Sequence, residues 1–374
     1  MINESNIREI RIKLLIDKIL TEFNGGGQRI LLYGAGKRGE AALRNLKMLG
    51  YEKYISGFLD DKTGKEFKMG QKVINPENLP DSEKRNSIFF ICTYAVKEMA
   101  SRLINLGVQF EHIFYLPELL ITDYDLNILA ENSDKIKYVE NILADGISKF
   151  IYKSVFEIYK TGNIGILSRT MGKYQYFPVK INESRDDDIN NIAEFKLSVG
   201  ECFIDCGAYD GDTIKLLKEF TGDKFRKIYA FEADAENYSR LVENYKNDNK
   251  IRMFNAAVYS KAGTLYFAGD NGTSSSVSDT GNVQVNAVRL DDILKGDESV
   301  SFIKMDIEGS ELEALKGAEN IIKRFNPKLA VCIYHNIDDL WEIPLYIHSI
   351  CKNYKLYIRN YEDRLDEIVC YAVL

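Results

Sequence analysis

The stretch FIDCGAYDGDT at residues 203–213 decides how the second half of the chain folds. Its apolar start predicts a buried strand, its glycines predict a tight turn, and the residues after it predict a helix. Similar apolar runs alternate with helical patterns from there on, which is typical of a parallel sheet covered by helices. The candidate strands are ECFIDC (201–206), KIYAFE (227–232), RMFNAAV (252–258), SFIKMD (301–306), KLAVCIY (328–334), KLYIRN (355–360) and IVCYAVL (368–374). The last two are close enough in sequence to form an antiparallel hairpin, and TLYFAG with NVQVNAV predicts a second hairpin before the fourth strand.

An earlier glycine turn stands in ILLYGAGKRGEAAL at residues 30–43. Gly34, Gly36 and Gly39 fit the G-x-G-x-x-G pattern, and Asp60 ends the next strand, near the roughly 20-residue spacing of a ribose-binding acid. This turn therefore predicts a dinucleotide or nucleotide-sugar site. The alternative is a structural Rossmann-like turn that binds no ligand, because the unit is shorter than a complete dinucleotide-binding domain.

The length of 374 residues and the two alternating regions predict two doubly wound α/β domains. We place an N-terminal helix and a Rossmann-like domain at residues 1–120, a helical bridge at 121–165, and the second sheet domain at 166–374. Helical patterns without a glycine turn fill the bridge.

Composition excludes several classes of function. The net charge of −7 argues against a nucleic-acid-binding surface, and no apolar run is long enough for a membrane helix. The N-terminal segment lacks the continuous apolar block of a signal peptide. Six scattered cysteines form no C-x-x-C pair, which suits free thiols in a reducing compartment. We therefore expect a cytoplasmic protein.

The second glycine turn differs from the first because it is rich in acids. Asp205 ends its strand, Asp210 and Asp212 lie in the turn, and Glu232 ends the following strand. A pyrophosphate would be repelled there, whereas the amine and sulfonium of S-adenosylmethionine would be attracted. A carboxylate at the position of Glu232 can accept both ribose hydroxyls. The chemistry of this turn thus favours S-adenosylmethionine as the cofactor.

At this point the sequence resembles a known family. FIDCGAYDGDT, YAFEADAENYSRL, NAAVYSKAGTLYF, VRLDDIL, FIKMDIEGSELEALKGA and IYHNIDDLWEIP occur in the order seen in FkbM-type methyltransferases, over roughly residues 170–374. The resemblance implies a class I methyltransferase fold and S-adenosylmethionine-dependent O-methylation of a hydroxyl of a carbohydrate or glycoconjugate. It also implies cofactor-binding positions, which are Asp205, Gly207, Asp210, Gly211, Thr213, Glu232, Asn255 and Ala256. FNAAV lacks the acid that many methyltransferases carry on the third strand, so the adenine contacts of Asn255 and Ala256 depart from the usual pattern.

The catalytic candidates follow the fourth and fifth strands, where the carboxyl ends of parallel strands form the binding edge. We assign His335 as a base or acceptor contact and Asp306 as its partner or as an acceptor ligand. Glu308 is either catalytic or accepts backbone N–H groups at the start of the next helix. Trp341 either stacks on a sugar or, as we prefer, packs in the core. Tyr174, Tyr176 and Phe177 either close over the site or pack the linker.

Two alternatives concern the same regions. Asp306, Glu308, His335 and Asp338 offer ligands for a divalent metal, although no ligand spacing demands one and we expect none. The N-terminal turn with Gly34, Gly36, Gly39 and Asp60 would instead suit an NAD-dependent oxidoreductase or a nucleotide-sugar-binding protein, but residues 30–116 offer no catalytic acid or hydride-acceptor pocket. Our preferred function is methyl transfer, with the N-terminal domain serving acceptor recognition or scaffolding.

Overall fold

The chain forms two compact units in the computed structural model. The first comprises Met1–Asn132 and Ser154–Ile166, and the second comprises Ser133–Lys153 and Leu167–Leu374. The structure describes residues 4–23, 29–61, 67–93, 96–116, 119, 123–161, 170–173, 175–178, 191–267, 283–294, 299–362, 365 and 367–374. The predicted domain boundaries at 120 and 165 lie outside these described residues. Among the described helices, none combines the length and the apolar character needed to cross a membrane.

The first unit contains a mostly parallel sheet. Its strands are β1 (Arg29–Tyr33), β2 (Ile55–Leu59), β3 (Phe67–Lys68), β4 (Gln71–Ile74), β5 (Ser87–Ile91) and β6 (Ile113–Phe114), and its helices are α1 (Glu4–Glu22), α2 (Lys37–Met48), α3 (Asp81–Asn86), α4 (Val96–Asn105) and α5 (Asp123–Glu131). The strand order is β3-β4-β2-β1-β5-β6, in which only the β3–β4 pair is antiparallel. The strands β1 and β5 are central because their apolar runs are buried on both faces.

The second unit begins with two helices and continues as an alternating α/β domain. The helices are α6 (Ser133–Ile142), α7 (Gly146–Thr161, divided between the two units), α8 (Asp212–Thr221), α9 (Ala235–Tyr245), α10 (Leu290–Ile293), α11 (Glu311–Gly317), α12 (Glu319–Phe325) and α13 (Asp339–Ile350). The strands are β7 (Cys202–Cys206), β8 (Lys227–Glu232), β9 (Ile251–Asn255), β10 (Ala257–Val258), β11 (Gly263–Phe267), β12 (Val283–Val288), β13 (Phe302–Met305), β14 (Lys328–Cys332), β15 (Lys355–Asn360) and β16 (Ile368–Val373).

Seven of these strands form one sheet in the order β15-β16-β14-β13-β7-β8-β9. The strand β16 is antiparallel to both of its neighbours, while the other pairs are parallel. The predicted C-terminal hairpin is therefore confirmed, and it closes a doubly wound parallel sheet as expected. The antiparallel β11–β12 pair confirms the second hairpin, which forms a separate sheet with β10.

The register of the central strands sets up one edge of this sheet. Cys206 of β7 pairs with Met305 of β13 and with Phe231 of β8. The chain therefore leaves all three strands at the same level. The loops that begin at Gly207, at Glu232 and at Asp306 are neighbours, although they are far apart in sequence.

Candidate functional site

The loop after β7 is held against the end of β13. Gly207 has a φ of +80°, and a Cβ there would lie 1.8 Å from the carbonyl oxygen of Asp306. The N–H groups of Gly207 and Ala208 both donate to the carbonyl oxygen of Phe231, each at 3.0 Å. Only a glycine can satisfy both the left-handed backbone and this close approach. Gly207 thus joins the predicted cofactor loop, residues 207–211, to the end of β13.

The helix α9 supports the far end of the same loop. A Cβ on Gly211 would lie 2.2 Å from the Tyr245 ring, whose hydroxyl donates to the Gly211 carbonyl oxygen at 2.8 Å. The amide of Asn244 donates to the carbonyl oxygen of Asp210 at 2.9 Å. Thr213 is buried, and its N–H donates to Asp212 at 2.6 Å. These contacts fix the backbone of the predicted cofactor residues Asp210, Gly211 and Thr213.

Glu232 lies beside this loop, at the end of β8. Its two carboxylate oxygens accept the N–H groups of Tyr209 and Asp234, each at 2.8 Å. Burial raises the pKa of Glu232, although these hydrogen bonds oppose the shift. Each oxygen keeps a further lone pair, which is what a ribose diol requires. The position of Glu232 and its ability to accept hydrogen bonds therefore fit the predicted ribose contact.

Asn255 and Ala256 complete the set of predicted cofactor residues. The amide of Asn255 donates to the carbonyl oxygen of Glu232 at 2.9 Å, and the N–H of Ala256 donates to the same oxygen at 3.1 Å. The chain after β9 is thereby held beside Glu232. All eight predicted cofactor positions lie on strand ends, on loops or in the first turn of α8 at one edge of the sheet.

The structure adds a residue that the sequence analysis missed. Lys304, on β13, is buried, and its Nζ lies 3.2 Å from Oδ1 of the fully buried Asp205. The same Nζ donates to the carbonyl oxygen of Gly207 at 2.6 Å. Burial disfavours the charged amine, but Asp205 and Asp306 together raise the pKa of Lys304. Lys304 thus pairs with the carboxylate of Asp205 and links it to the first peptide group of the loop after β7. The signal for Lys304 was a lone charge inside the apolar run FIKM.

The catalytic candidates converge next to this loop. Nε2 of His335 lies 3.5 Å from Oδ1 of Asp306 and 3.7 Å from Oε2 of Glu308. Nδ1 of the same ring lies 3.0 Å from Oε1 of Glu311, which is fully buried. The sequence analysis missed Glu311 because its position at the start of a helix is typical of a surface acid. The carboxylate that accepts a backbone N–H before α11 is that of Glu311, which accepts from Ile307 at 2.7 Å.

The closely spaced charges change the pKa values of His335 and Glu308. Burial disfavours protonated His335, but the hydrogen bond and charge of Glu311 and the charges of Asp306 and Glu308 raise its pKa to about 9. Burial and the neighbouring acids Asp306 and Glu311 raise the pKa of Glu308 to about 7, although His335 opposes this. The Tyr176 hydroxyl donates to Oδ2 of Asp306 at 2.6 Å. Without another cation, the His335 ring therefore holds a proton at neutral pH.

The other candidate residues, near α13 and before β7, lie in the core or at a helix terminus where the structure describes them. Trp341 is 1% exposed, so the core interpretation is correct for it. Asp338 stands at the N-terminus of α13. Among the described residues, the potential metal-ligand atoms that lie close together belong to Asp306, Glu311 and His335. Glu311 therefore replaces Glu308 and Asp338 in the set of candidate ligands. Phe177 packs against Phe220 and Phe302, and Tyr174 lies outside the described residues.

The earlier glycine turn has tight packing of its own. A Cβ on Gly39 would lie 1.9 Å from the carbonyl oxygen of Gly34, which itself has a φ of +109°. Gly36 is the residue before α2. Oδ2 of Asp60 accepts the N–H of Ala35 at 2.7 Å, so an anion of the chain already occupies one donor of the turn. The glycines at positions 34 and 39 are thus explained by packing within the first unit.

Comparisons with known proteins bear on the second unit. The model of the methyltransferase FkbM domain matches residues 205–364. Residues 205–364 form an FkbM methyltransferase domain. Its match includes the cofactor loop, Glu232, Asp306 and His335, which the geometry brings together.

Two known proteins are similar to this chain, one in sequence and one in structure. The hexuronic acid methyltransferase AglP of Haloferax volcanii is 28% identical over 106 residues, which are 26% of this chain and 44% of that protein. The chain therefore matches less than half the length of this curated relative. The crystal structure of a methyltransferase FkbM from Methylobacillus flagellatus KT is 20% identical, with a TM-score of 0.60, over 96% of this chain and 92% of that chain. This likeness confirms the class I methyltransferase fold.

Proposed function

We propose that the second unit is an S-adenosylmethionine-dependent methyltransferase that methylates a hydroxyl oxygen of a carbohydrate or glycoconjugate. The observation that carries this proposal is the contact between Gly207 and Asp306. It puts a loop with the features of a cofactor site directly beside a cluster of proton-exchanging side chains. Methyl transfer needs these two sites to be adjacent, because the acceptor oxygen must lie behind the methyl carbon.

The cofactor side of the proposal rests on Glu232 and the glycine loop. Glu232 would accept the ribose hydroxyls through the lone pairs that Tyr209 and Asp234 leave free. Gly207 and Gly211 let the backbone pass close to the ligand, with Asp210 beside it. When bound, S-adenosylmethionine supplies a methyl group on a sulfonium sulfur, which becomes a neutral thioether as the acceptor oxygen bonds to the methyl carbon.

The acceptor side rests on Asp306, Glu308 and His335. Asp306 is held in place by hydroxyl groups of Tyr176 at 2.6 Å and Tyr334 at 3.3 Å, so it can position an acceptor hydroxyl. Nε2 of His335 lies between the two carboxylates, 3.5 Å from Oδ1 of Asp306 and 3.7 Å from Oε2 of Glu308. The side chain of Glu308 is 41% exposed, against 24% for Asp306 and 10% for His335. Glu308 is thus the group of this cluster best able to reach the hydroxyl and take its proton.

The carbohydrate acceptor is supported by the similarity to the Haloferax volcanii protein, whose name gives a hexuronic acid as its substrate. The test is a transfer assay with isotopically labelled S-adenosylmethionine and three acceptor classes: hexuronic acids, neutral hexoses and nucleotide-linked sugars. We expect a labelled methyl ether on one of these acceptors. Label on nitrogen or carbon of a non-carbohydrate acceptor, with none on the sugars, would contradict the proposed acceptor class.

A further inference from the structure

The imidazole of His335 is surrounded by carboxylates in an unusual way. Nδ1 lies 3.0 Å from Oε1 of Glu311, yet it is buried without a hydrogen-bond partner among the described residues. Nε2 faces Oδ1 of Asp306 at 3.5 Å and Oε2 of Glu308 at 3.7 Å. These two distances are too long for strong hydrogen bonds. Two ligands that share an ion at about 2.1 Å each lie about 3.0 to 3.5 Å apart. The spacing between Nδ1 of His335 and Oε1 of Glu311 therefore suits ligands of one ion.

The burial of Glu311 adds a second, independent observation. Its side chain is fully buried, and its Oε1 already accepts the N–H of Ile307 and faces His335. Its other oxygen, Oε2, is buried without a hydrogen-bond partner among the described residues. A buried carboxylate oxygen with no donor is costly unless a cation or donor satisfies it. This oxygen points to a ligand that the protein itself does not provide.

We propose that Asp306, Glu311 and His335 form a binding site for a divalent first-row metal ion. The ligand atoms of these three residues lie within 4.8 Å of one another. Nδ1 of His335 and the carboxylate of Glu311 would bind the ion, with Asp306 as the third ligand. Two carboxylates and one imidazole suit Mn²⁺ or Zn²⁺ better than Ca²⁺, which prefers oxygen ligands alone.

The position of the site gives the ion a role that rests on the proposed function. It lies where the acceptor hydroxyl would meet Asp306 and His335. A metal-bound hydroxyl is more acidic than a free one, so its proton would pass more readily to Glu308. The binding of the ion itself depends only on the three ligands and does not require the chain to be a methyltransferase.

The experiment measures Mn²⁺ binding to the full chain by electron paramagnetic resonance of the free ion, after treatment with EDTA and buffer exchange. We expect one Mn²⁺ per chain. Asp306→Asn and Glu311→Gln should each weaken the binding at least tenfold, because each removes the charge of a ligand. The control is Glu313→Gln on the same helix, whose carboxylate contacts Ser260 and Lys316, and it should bind as the wild type does.

Two results would overturn the metal site. One is a wild-type chain that leaves all Mn²⁺ free at about millimolar concentration, and the other is equal binding by Asp306→Asn, Glu311→Gln and Glu313→Gln. Thermal unfolding of each variant reports whether it is folded, and His335→Gln replaces a variant that is not. A parallel titration with S-adenosylhomocysteine separates the two proposals. If the chain binds S-adenosylhomocysteine but not Mn²⁺, only the metal site is overturned. If it binds Mn²⁺ but not S-adenosylhomocysteine, only the proposed function is overturned.

Discussion

The ammonium of Lys304 lies 3.2 Å from Oδ1 of Asp205, and both side chains are buried in the central strands β13 and β7. The same ammonium donates to the carbonyl oxygen of Gly207 at 2.6 Å. The buried Lys304 therefore neutralises Asp205 near the end of β7 and also holds the first peptide group of the predicted cofactor loop. The geometry of the loop depends on β13, which carries Lys304, as much as on the glycines of the loop itself.

Replacing Lys304 should accordingly be costly. Lys304→Met leaves the carboxylate of Asp205 buried without a counter-ion, which costs about 3 to 5 kcal/mol of unfolding free energy. The measurement is urea-induced unfolding. The matched control is Lys246→Met, because Lys246 pairs with Glu243 on the exposed face of α9 and such pairs contribute about 0 to 1 kcal/mol. Equal stability of the two variants would show that the buried pair does not hold the domain together.

A second stability prediction concerns Gly207. Gly207→Ala combines a left-handed φ of +80° with a Cβ 1.8 Å from the Asp306 carbonyl oxygen, so we expect a loss of about 3 kcal/mol or more. Gly222 also has a positive φ, of +58°, but a Cβ there has no atom within 4 Å. Gly222→Ala should therefore cost only about 1 to 2 kcal/mol, from backbone strain alone. The two unfolding free energies measured side by side test this, and a Gly207→Ala chain no less stable than Gly222→Ala would contradict the close approach.

The sequence predicts the sheet of the second unit well because local signals dominate there. The strand stretches FIDC at 203–206 and KLAVC at 328–332 each carry one charged residue among apolar ones, and the hairpin that ends in IVCYAVL leaves no room for a crossover helix. The run SELEALKGAENIIKRF has a helical pattern throughout, yet it is divided into α11 and α12 at Ala318. A Cβ on Gly317 would lie 2.1 Å from the Tyr259 carbonyl oxygen, a tertiary contact that no local pattern reveals.

The candidate site is less predictable than the sheet. His335, Asp306 and Glu232 stand at strand ends, where topology alone brings them to one edge. Glu311 looks like an ordinary surface charge in sequence, and Lys304 stands out only as a lone charge in the apolar run FIKM, since the ionic partners of both lie far away in sequence. The sequence therefore reveals the residues that line the edge but not the buried charges that fix them.

The ion pair between Asp145 and Arg359 predicts a pH dependence of stability. Arg359 is fully buried, and its guanidinium donates to Oδ2 of Asp145 at 2.6 Å. Burial opposes ionisation of Asp145, but the hydrogen bonds from Arg359 and Ser148 lower its pKa overall. The folded chain then holds fewer protons on this group than the unfolded chain, whose Asp pKa is about 3.9. The stabilisation is complete above that value and is lost as the pH falls through the folded value.

The variant Asp145→Asn tests this pH dependence. It should lose about 3 kcal/mol of unfolding free energy at pH 7, because the buried guanidinium loses its counter-ion. The difference from the wild type should shrink as unfolding is measured at lower pH, towards pH 3. The exposed Asp134→Asn at the start of α6 serves as the control and should change little at either pH. A difference for Asp145→Asn that stays constant from pH 7 to pH 3 would be inconsistent with the ion pair.

The proposed acceptor site makes a kinetic prediction. His335→Ala should leave the affinity for S-adenosylhomocysteine within about twofold and lower kcat by about 10²-fold or more, since it removes a side chain of the proposed acceptor site that lies beside Asp306 and Glu308. His348→Ala is the control, because His348 lies on α13 near Tyr138, with ring centroids 6.3 Å apart. The assay compares kcat with the dissociation constant for each variant. A wild-type kcat in His335→Ala would remove the histidine from the mechanism.

The central claim is that the acidic glycine loop and Glu232 bind S-adenosylmethionine. Calorimetric titration of the full chain with S-adenosylhomocysteine tests it most directly, using Glu232→Ala and, as the control, Glu236→Ala, whose side chain is exposed on α9. We predict one binding event per chain that Glu236→Ala retains and Glu232→Ala loses. A wild-type chain that binds no S-adenosylhomocysteine, or a Glu232→Ala chain that binds it as tightly as the control, would contradict the claim.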